Sequence, residues 1–278
     1  MSLSTLLLNL MRPLLLGEFG VAALYGLSIG QFLLYFRGQR RDSPIFRRVM
    51  FYLWIVDTAH TIFSIWIAYH HIVVGRIHLM DLLCVDWCIV AHILVTGAVC
   101  LVIRLICISR IWELTGKSRL LSAFLAAFSV LVFASVIVTC IKVGLVRVVI
   151  DIYSVKTFFY ITLGSGVVVD AMIAATLSGI LWRIRTQFKA TNAILSRLMV
   201  YVIHTGLLLS ACTLTSLISF GTRNSNVCIG LYLILSKVYL NHLLVFLNTR
   251  PLLGERHSLS RLWRVTDSGR GSVQGGSA

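Results

Sequence analysis

Seven apolar stretches follow one another along this chain, each about 20 residues or longer. A helix of that length crosses the hydrocarbon core of a bilayer. Because every backbone polar group in lipid must be satisfied internally, only helix bundles and closed barrels can span it. Barrel strands alternate apolar and polar residues over short segments, whereas these stretches are continuously apolar. The sequence therefore predicts an all-α polytopic membrane bundle of seven transmembrane helices.

The predicted spans occupy most of the chain, of which only 13% is charged and 58% is hydrophobic. A soluble domain carries about twice that charged fraction. The spans are Leu14–Phe36, Val49–His71, Asp86–Ile108, Leu120–Ile141, Thr157–Trp182, Leu198–Phe220 and Val227–Leu247. We therefore expect a transmembrane domain over residues 1–250 and a disordered, basic cytosolic tail over 251–278.

Basic residues are concentrated in alternate loops, and this sets the predicted orientation. Of the 25 Lys and Arg residues, 17 lie in the loops of one side and the tail, and 6 lie on the other side. The positive-inside rule then places the N-terminus outside and the C-terminus in the cytosol. The fifth loop contributes Arg183, Arg185, Lys189 and Arg197 to this basic surface.

The net charge of +15 does not predict nucleic-acid binding, because the basic residues flank apolar spans and form no separate soluble domain. The expected partners are the bilayer itself and anionic lipid at the cytosolic face. We expect the plasma membrane in preference to an internal membrane. The sequence does not indicate a protein partner or a small-molecule ligand.

Several ionisable or amide side chains fall inside predicted spans, where such groups need a partner or a cavity. At about 1.5 Å of rise per residue, Asp57 and Asn241 lie roughly 10–12 Å from the cytosolic edge. Asp170 and Lys237 lie deeper, at about 16–18 Å. We predict an interior polar network of these four residues and His60, in which Lys237 faces the bundle centre and pairs with Asp170 or Asp57.

Two interpretations of this network stay open. Polar side chains between helices can simply hold a bundle together, or they can form a ligand or ion site. In the third span, His92, Thr96 and Arg104 follow one another on a drifting stripe, and we expect Arg104 to extend its side chain to the inner interface. Small-residue ridges in the first span (Ala22, Gly26, Gly30) and the fifth (Ala171, Ala175, Gly179) predict close helix packing.

No catalytic signature is recognisable, so the sequence does not predict an enzyme. A phosphate-binding glycine loop, a His-Glu-x-x-His helix and a Gly-x-Ser-x-Gly elbow are all absent from the sequence. We expect no metal and no cofactor. A lysine in the last of seven spans could hold retinal, but the third span offers no acidic counter-ion beyond Asp86.

The chain resembles a fungal, mainly basidiomycete, family of seven-span membrane proteins of unknown function, the DUF6534 family. The residues that carry the resemblance are Tyr25-Gly26, Gln31, Tyr35-Phe36, Leu53-Trp54, Asp57-Thr58, His60, Arg185-Thr186-Gln187-Phe188, Thr191, Arg197-Leu198, Thr205-Gly206, Ser236-Lys237, Tyr239, Asn241 and Leu247-Asn248-Thr249-Arg250. The chain departs from the family at Asn192 and His242. The resemblance implies the fold but no activity.

Three functions remain open at this point. The first is a receptor-like or sensory membrane protein whose polar interior acts as a switch. The second is a small transporter or channel that uses the interior Asp, Lys and Asn side chains along a pathway. The third is a membrane-embedded lipid-modifying enzyme, for which His60, His92 and His204 are the candidate bases.

Overall fold

A computed structural model describes residues 3–38, 43–73, 87–115, 119–146, 155–187, 230–245 and 247–248, together with 211, 213–215 and 218. These residues form helices and short connections, and no strand occurs among them. The helices are α1 (Leu3–Gly38), α2 (Pro44–Ile72), α3 (Trp87–Leu114), α4 (Arg119–Leu145), α5 (Lys156–Gln187) and α6 (Gly230–Val245).

Five of these helices are long and apolar enough to cross a membrane: α1 from Met11 onward, α2, α3, α4 and α5 over Thr157–Ile180. Each matches one of the first five predicted spans. The sixth predicted span, Leu198–Phe220, lies almost wholly outside the described residues, although positions 211, 213–215 and 218 are helical. The shorter apolar helix α6 lies within the seventh predicted span. The chain is an all-α integral membrane protein.

The ends of α1 and α2 reflect local sequence. Helix α2 begins at Pro44, and the Ser43 side chain accepts a hydrogen bond from the backbone N–H of Phe46 at 3.3 Å. Serine before a helix and proline at its first position both favour a helix start. Helix α1 begins at Leu3, well before the predicted span, so Pro13 lies inside it rather than in a flank.

Polarity in α2 is reversed relative to a soluble helix. Its buried face carries polar side chains, among them Asp57, His60 and Ser64, while Ile62 and Trp66 are at least half exposed. A helix in water would bury the second group and expose the first. Since the exposed face would meet lipid, this arrangement agrees with a membrane location.

Each helix from α1 to α5 packs against the next along the chain, and α3 also contacts α5. Helix α6 lies among them, and none of its residues is exposed. The largest apolar cluster contains Leu240, Leu243 and Leu244 of α6 and also Leu247, together with residues of α1, α2, α3 and α5. Because α6 contacts several helices, its side chains can couple them.

Close helix contact occurs at glycines other than the predicted ones. A Cβ on Gly230 would lie 2.3 Å from the backbone oxygen of Pro13, and one on Gly17 would lie 2.8 Å from the Gly230 backbone. The backbones of α1 and α6 therefore touch here. The predicted ridges Ala22-Gly26-Gly30 and Ala171-Ala175-Gly179 are instead exposed among the described residues, and added Cβ atoms at Gly26, Gly30 and Gly179 would meet nothing within 4 Å.

Candidate functional site in the bundle interior

Lys237 of α6 points at α2 and is completely buried. Its ammonium forms an ion pair with Oδ1 of Asp57 and also donates to the backbone oxygen of Asp57 at 2.8 Å and to Oγ1 of Thr61 at 2.7 Å. An ammonium has three protons, and these three acceptors match them. Of the two acids predicted to pair with Lys237, the structure places Asp57 beside it.

Helix α1 closes the other side of this pair. The Tyr25 ring lies 5.0 Å from the Lys237 nitrogen, within the range of a cation–π contact. One helical turn after Lys237 along the chain, the Asn241 Nδ2 lies 2.9 Å from Oγ of Ser28 and 3.0 Å from the backbone oxygen of Leu24. Asn241 thereby connects α6 to α1, while Lys237 connects α6 to α2.

Asp170, the other predicted partner of Lys237, binds Arg104 instead. The guanidinium of Arg104 donates from Nε to Oδ1 at 2.8 Å and from Nη2 to Oδ2 at 3.1 Å. Tyr239 of α6 donates its hydroxyl to the same carboxylate. Arg104 is only 6% exposed, so the prediction that it reaches the interface was wrong. The bidentate ion pair with Asp170 neutralises the guanidinium charge inside the bundle.

A hydroxyl and imidazole cluster lies between these two ion pairs. Nε2 of His60 is 3.0 Å from Oγ1 of Thr96 and 3.2 Å from Oγ of Ser236. The His92 ring stacks at a tilt against His60, with 4.1 Å between centroids. All four side chains are buried. The cluster joins α2, α3 and α6 through neutral hydrogen bonds.

Glu18, a partly buried acid, also belongs to this site, although it is not one of the predicted network residues. It lies in α1, where its Oε1 accepts a hydrogen bond from Oγ of Ser64 at 2.5 Å, and its carboxylate interacts electrostatically with Lys237. It lies four residues after the start of the first predicted span, Leu14–Phe36. The facing Ser64, on the polar side of α2, was the available signal for an interior residue.

Three buried polar atoms of the site have no hydrogen-bond partner among the described residues: Asp57 Oδ2, Asn241 Oδ1 and His92 Nε2. Each belongs to a side chain that is at most 8% exposed. A buried polar atom without a partner costs about 1–3 kcal/mol. The first two are oxygens that accept hydrogen bonds or bind cations, and both flank Lys237.

Within the described residues, no group of three or more His, Cys, Asp or Glu side chains could hold a metal ion. The predicted cytosolic basic loop is only partly described. Arg183 is exposed near the end of α5, and Arg185 lies in the last helical turns. Lys189 and Arg197 lie outside the described residues, as do residues 251–278.

Comparison with known proteins gives one family match. Residues 166–251 match a model described as "Family of unknown function (DUF6534)". The matched part contains Asp170, Lys237, Tyr239 and Asn241. No curated protein and no solved structure matches the chain. The match supports the resemblance to this family and brings no activity with it.

Proposed function

We propose that this chain is a receptor-like or sensory membrane protein with seven spans, an outer N-terminus and a cytosolic C-terminus. Its place is the plasma membrane, and its basic cytosolic surface meets anionic lipid. The resemblance to the fungal, mainly basidiomycete, DUF6534 family supports the span count. The basic loops support the orientation.

One observation carries the receptor-like part of the proposal: α6 bonds to charged groups on two opposite sides. Lys237 bonds to Asp57 of α2, and Tyr239 bonds to the Arg104–Asp170 pair of α3 and α5. Two residues along a helix correspond to a rotation of about 200°. Rotation or sliding of α6 would therefore disturb both sets of bonds together, and this suits an element with two discrete arrangements.

The transporter alternative has one specific observation in its favour. Asp57 Oδ2 and Asn241 Oδ1 are unpaired among the described residues, and a pathway for cations needs oxygen atoms that are free to bind. Against it, both interior acids on α2 and α5 are already engaged by cationic side chains. For the enzyme alternative, Ser236 lies beside His60 but is 1% exposed, which gives a substrate poor access.

The topology can be tested with glycosylation acceptors, because the chain has no Asn-x-Ser/Thr sequon of its own. An acceptor inserted between residues 74 and 86 should be glycosylated, whereas one inserted between 116 and 118 should not. An epitope at the C-terminus should be detected only after permeabilisation. Glycosylation of the 116–118 insert, or detection of the epitope on intact cells, would contradict the proposed orientation.

The switch can be tested by measuring the distance between spin labels at Ile45 on α2 and Trp182 on α5, which are both exposed. Labels carried on unnatural amino acids avoid the 7 native cysteines. Asp57→Asn and Arg104→Gln should each populate a second distance. Glu113→Gln, which breaks a partly exposed pair with Arg110, is the matched control and should not.

The same variants separate the alternatives. A receptor-like protein should show the second distance and no ion flux in proteoliposomes. If wild-type protein conducts ions and Asp57→Asn abolishes the flux while the distances stay unchanged, the transporter is correct and the switch is not.

A further inference from the structure

On the side of α6 that faces α1 and α2, the charged groups comprise one more acid than base: Asp57 and Lys237 are buried, and Glu18 is partly buried. Glu18 and Asp57 supply two carboxylates, and Lys237 supplies one ammonium. Ser64, the partner of Glu18, is one turn from Thr61, the partner of Lys237, so the Glu18 carboxylate lies only about 4.5 Å of helix rise from the ion pair. The three charges therefore form one cluster.

Neighbouring helices do not correct this imbalance. From α3, the His92 ring stacks against His60 of α2, and His60 bonds to the hydroxyls of Thr96 and Ser236. From α1, Tyr25 presents a neutral ring. On the other side of α6, Arg104 and Asp170 compensate each other.

The sequence of the predicted sixth span, Leu198–Phe220, adds no Asp, Glu, Lys or Arg to these groups. Its one basic side chain is that of His204.

A net charge left in a low-dielectric interior costs several kcal/mol unless it is paired. The unpaired atoms indicate what is missing. Asp57 Oδ2 and Asn241 Oδ1 are both oxygen acceptors, in side chains that are at least nine-tenths buried. Asp57 pairs with the Lys237 ammonium, and the Asn241 amide donates to the Lys237 backbone oxygen. Two acceptors without a donor are satisfied by a bound positive charge, either as a proton on a carboxylate or as a hard cation held by oxygens.

We propose that the cluster of Glu18, Asp57, Lys237 and Asn241 is a binding site for a single positive charge, supplied by a proton or a sodium ion. The bound charge brings the cluster to neutrality. It also supplies a donor or a cation to Asp57 Oδ2, which is unpaired among the described residues. This site is independent of whether the protein signals or transports.

The test is the thermal unfolding midpoint of the full chain in nanodiscs, measured in two series. In the first, NaCl replaces N-methyl-D-glucamine chloride at constant ionic strength. In the second, the pH is varied from about 5 to 9, a range in which free carboxylates are ionised. A ligand that binds only the folded state raises its stability as the ligand concentration rises.

If sodium is the ion, the midpoint rises with sodium, and binding of radioactive sodium saturates at one ion per chain. If a proton is the ion, the midpoint is insensitive to sodium and rises as the pH falls, because the folded cluster holds a proton that the unfolded chain has released. Either result supports the site, and the two results distinguish its occupant.

Two conservative variants connect the effect to the cluster. Glu18→Gln keeps an acceptor for Ser64, and Asp57→Asn keeps one for Lys237, yet each makes the cluster neutral without a bound ion. Each should weaken sodium affinity about tenfold or more, or flatten the pH dependence. Glu113→Gln removes an exposed acid and should retain the wild-type response.

The proposal is overturned if the wild-type midpoint responds to neither sodium nor pH across these series. It is equally overturned if the response persists unchanged in both Glu18→Gln and Asp57→Asn. Should one of the two variants fail to fold, the other still decides, because both remove the same net charge.

Discussion

Replacing Lys237 by Met should be among the most destabilising single changes in the described part of this protein. Met fills a similar volume but donates nothing, so the buried Asp57 carboxylate loses its counter-charge, and Thr61 Oγ1 loses a donor. Removing one partner of a buried ion pair costs about 3–5 kcal/mol. Lys237 is 0% and Asp57 2% exposed, so solvent cannot recover this loss.

The coupling free energy between Lys237 and Asp57 is measured with a double-mutant cycle, in which Asp57→Asn is made alone and together with Lys237→Met. In the double variant neither member of the Lys237–Asp57 pair carries a charge, so the free energy of unfolding should fall by less than the sum of the two single effects. Contacting residues show coupling of about 0.5–3 kcal/mol, and a fully buried pair belongs at the upper end. Reversible unfolding in mixed micelles by titration with sodium dodecyl sulfate, followed by far-UV circular dichroism, gives the four free energies.

The matched control is Arg110→Met, which breaks the pair with Glu113. These side chains are 24% and 56% exposed, and such pairs contribute about 0–1 kcal/mol. The reasoning is refuted if Lys237→Met costs no more than Arg110→Met. It is refuted as well if the effects of Lys237→Met and Asp57→Asn are simply additive.

Three further changes can be measured in the same unfolding assay. Gly230→Ala should cost about 1–3 kcal/mol because its Cβ would overlap the Pro13 backbone, whereas Gly26→Ala should cost little, and equal costs would refute the close contact of α1 and α6. Ser236→Ala removes one hydrogen bond to His60 and should cost only about 0.6 kcal/mol, the average for such bonds in membrane proteins. Arg104→Gln should cost about 3–5 kcal/mol, and a cost below 1 kcal/mol would mean that Asp170 is compensated elsewhere.

The helices themselves could be predicted because lipid permits few alternatives. Continuous apolar runs gave all five long helices to within a few residues at most ends. Two of the exceptions, the starts of α1 and α2, have local causes. Helix α1 extends to Leu3 because Pro13 does not end it, since a helix in a bundle can have its freed backbone group satisfied by neighbours. The number of spans and their orientation depend on loops and on Leu198–Phe220, which lie outside the described residues.

Pairing inside the bundle was harder to predict, because depth along a helix says nothing about the direction of a side chain. Asp170 and Lys237 lie at similar predicted depths, yet they do not pair. Lys237 points from α6 to Asp57 of α2, whereas Asp170 of α5 lies on the other side of α6 and binds Arg104. Tyr239 is two positions after Lys237, and that spacing turns its side chain to nearly the opposite side of the helix. To predict which acid pairs with which base, one must know which helices are neighbours, and the positions of apolar runs do not give that information.

The two ion pairs also bear on what α6 does. Well-packed apolar side chains can replace a buried ion pair without loss of stability, and sometimes with a gain. Stability alone therefore does not account for charged groups on opposite sides of one buried helix. Contacts to charged groups differ from apolar packing in one respect. The contacts of Lys237 and Tyr239 hold α6 at one rotation and one height in the bundle. Leucines such as Leu240 and Leu243 can repack after a small shift. If α6 moves in function, the Lys237–Asp57 ion pair and the hydrogen bond from Tyr239 to Asp170 must break together, and the cost of that step makes an intermediate position unfavourable. Such contacts favour a two-state element over a continuously flexible one.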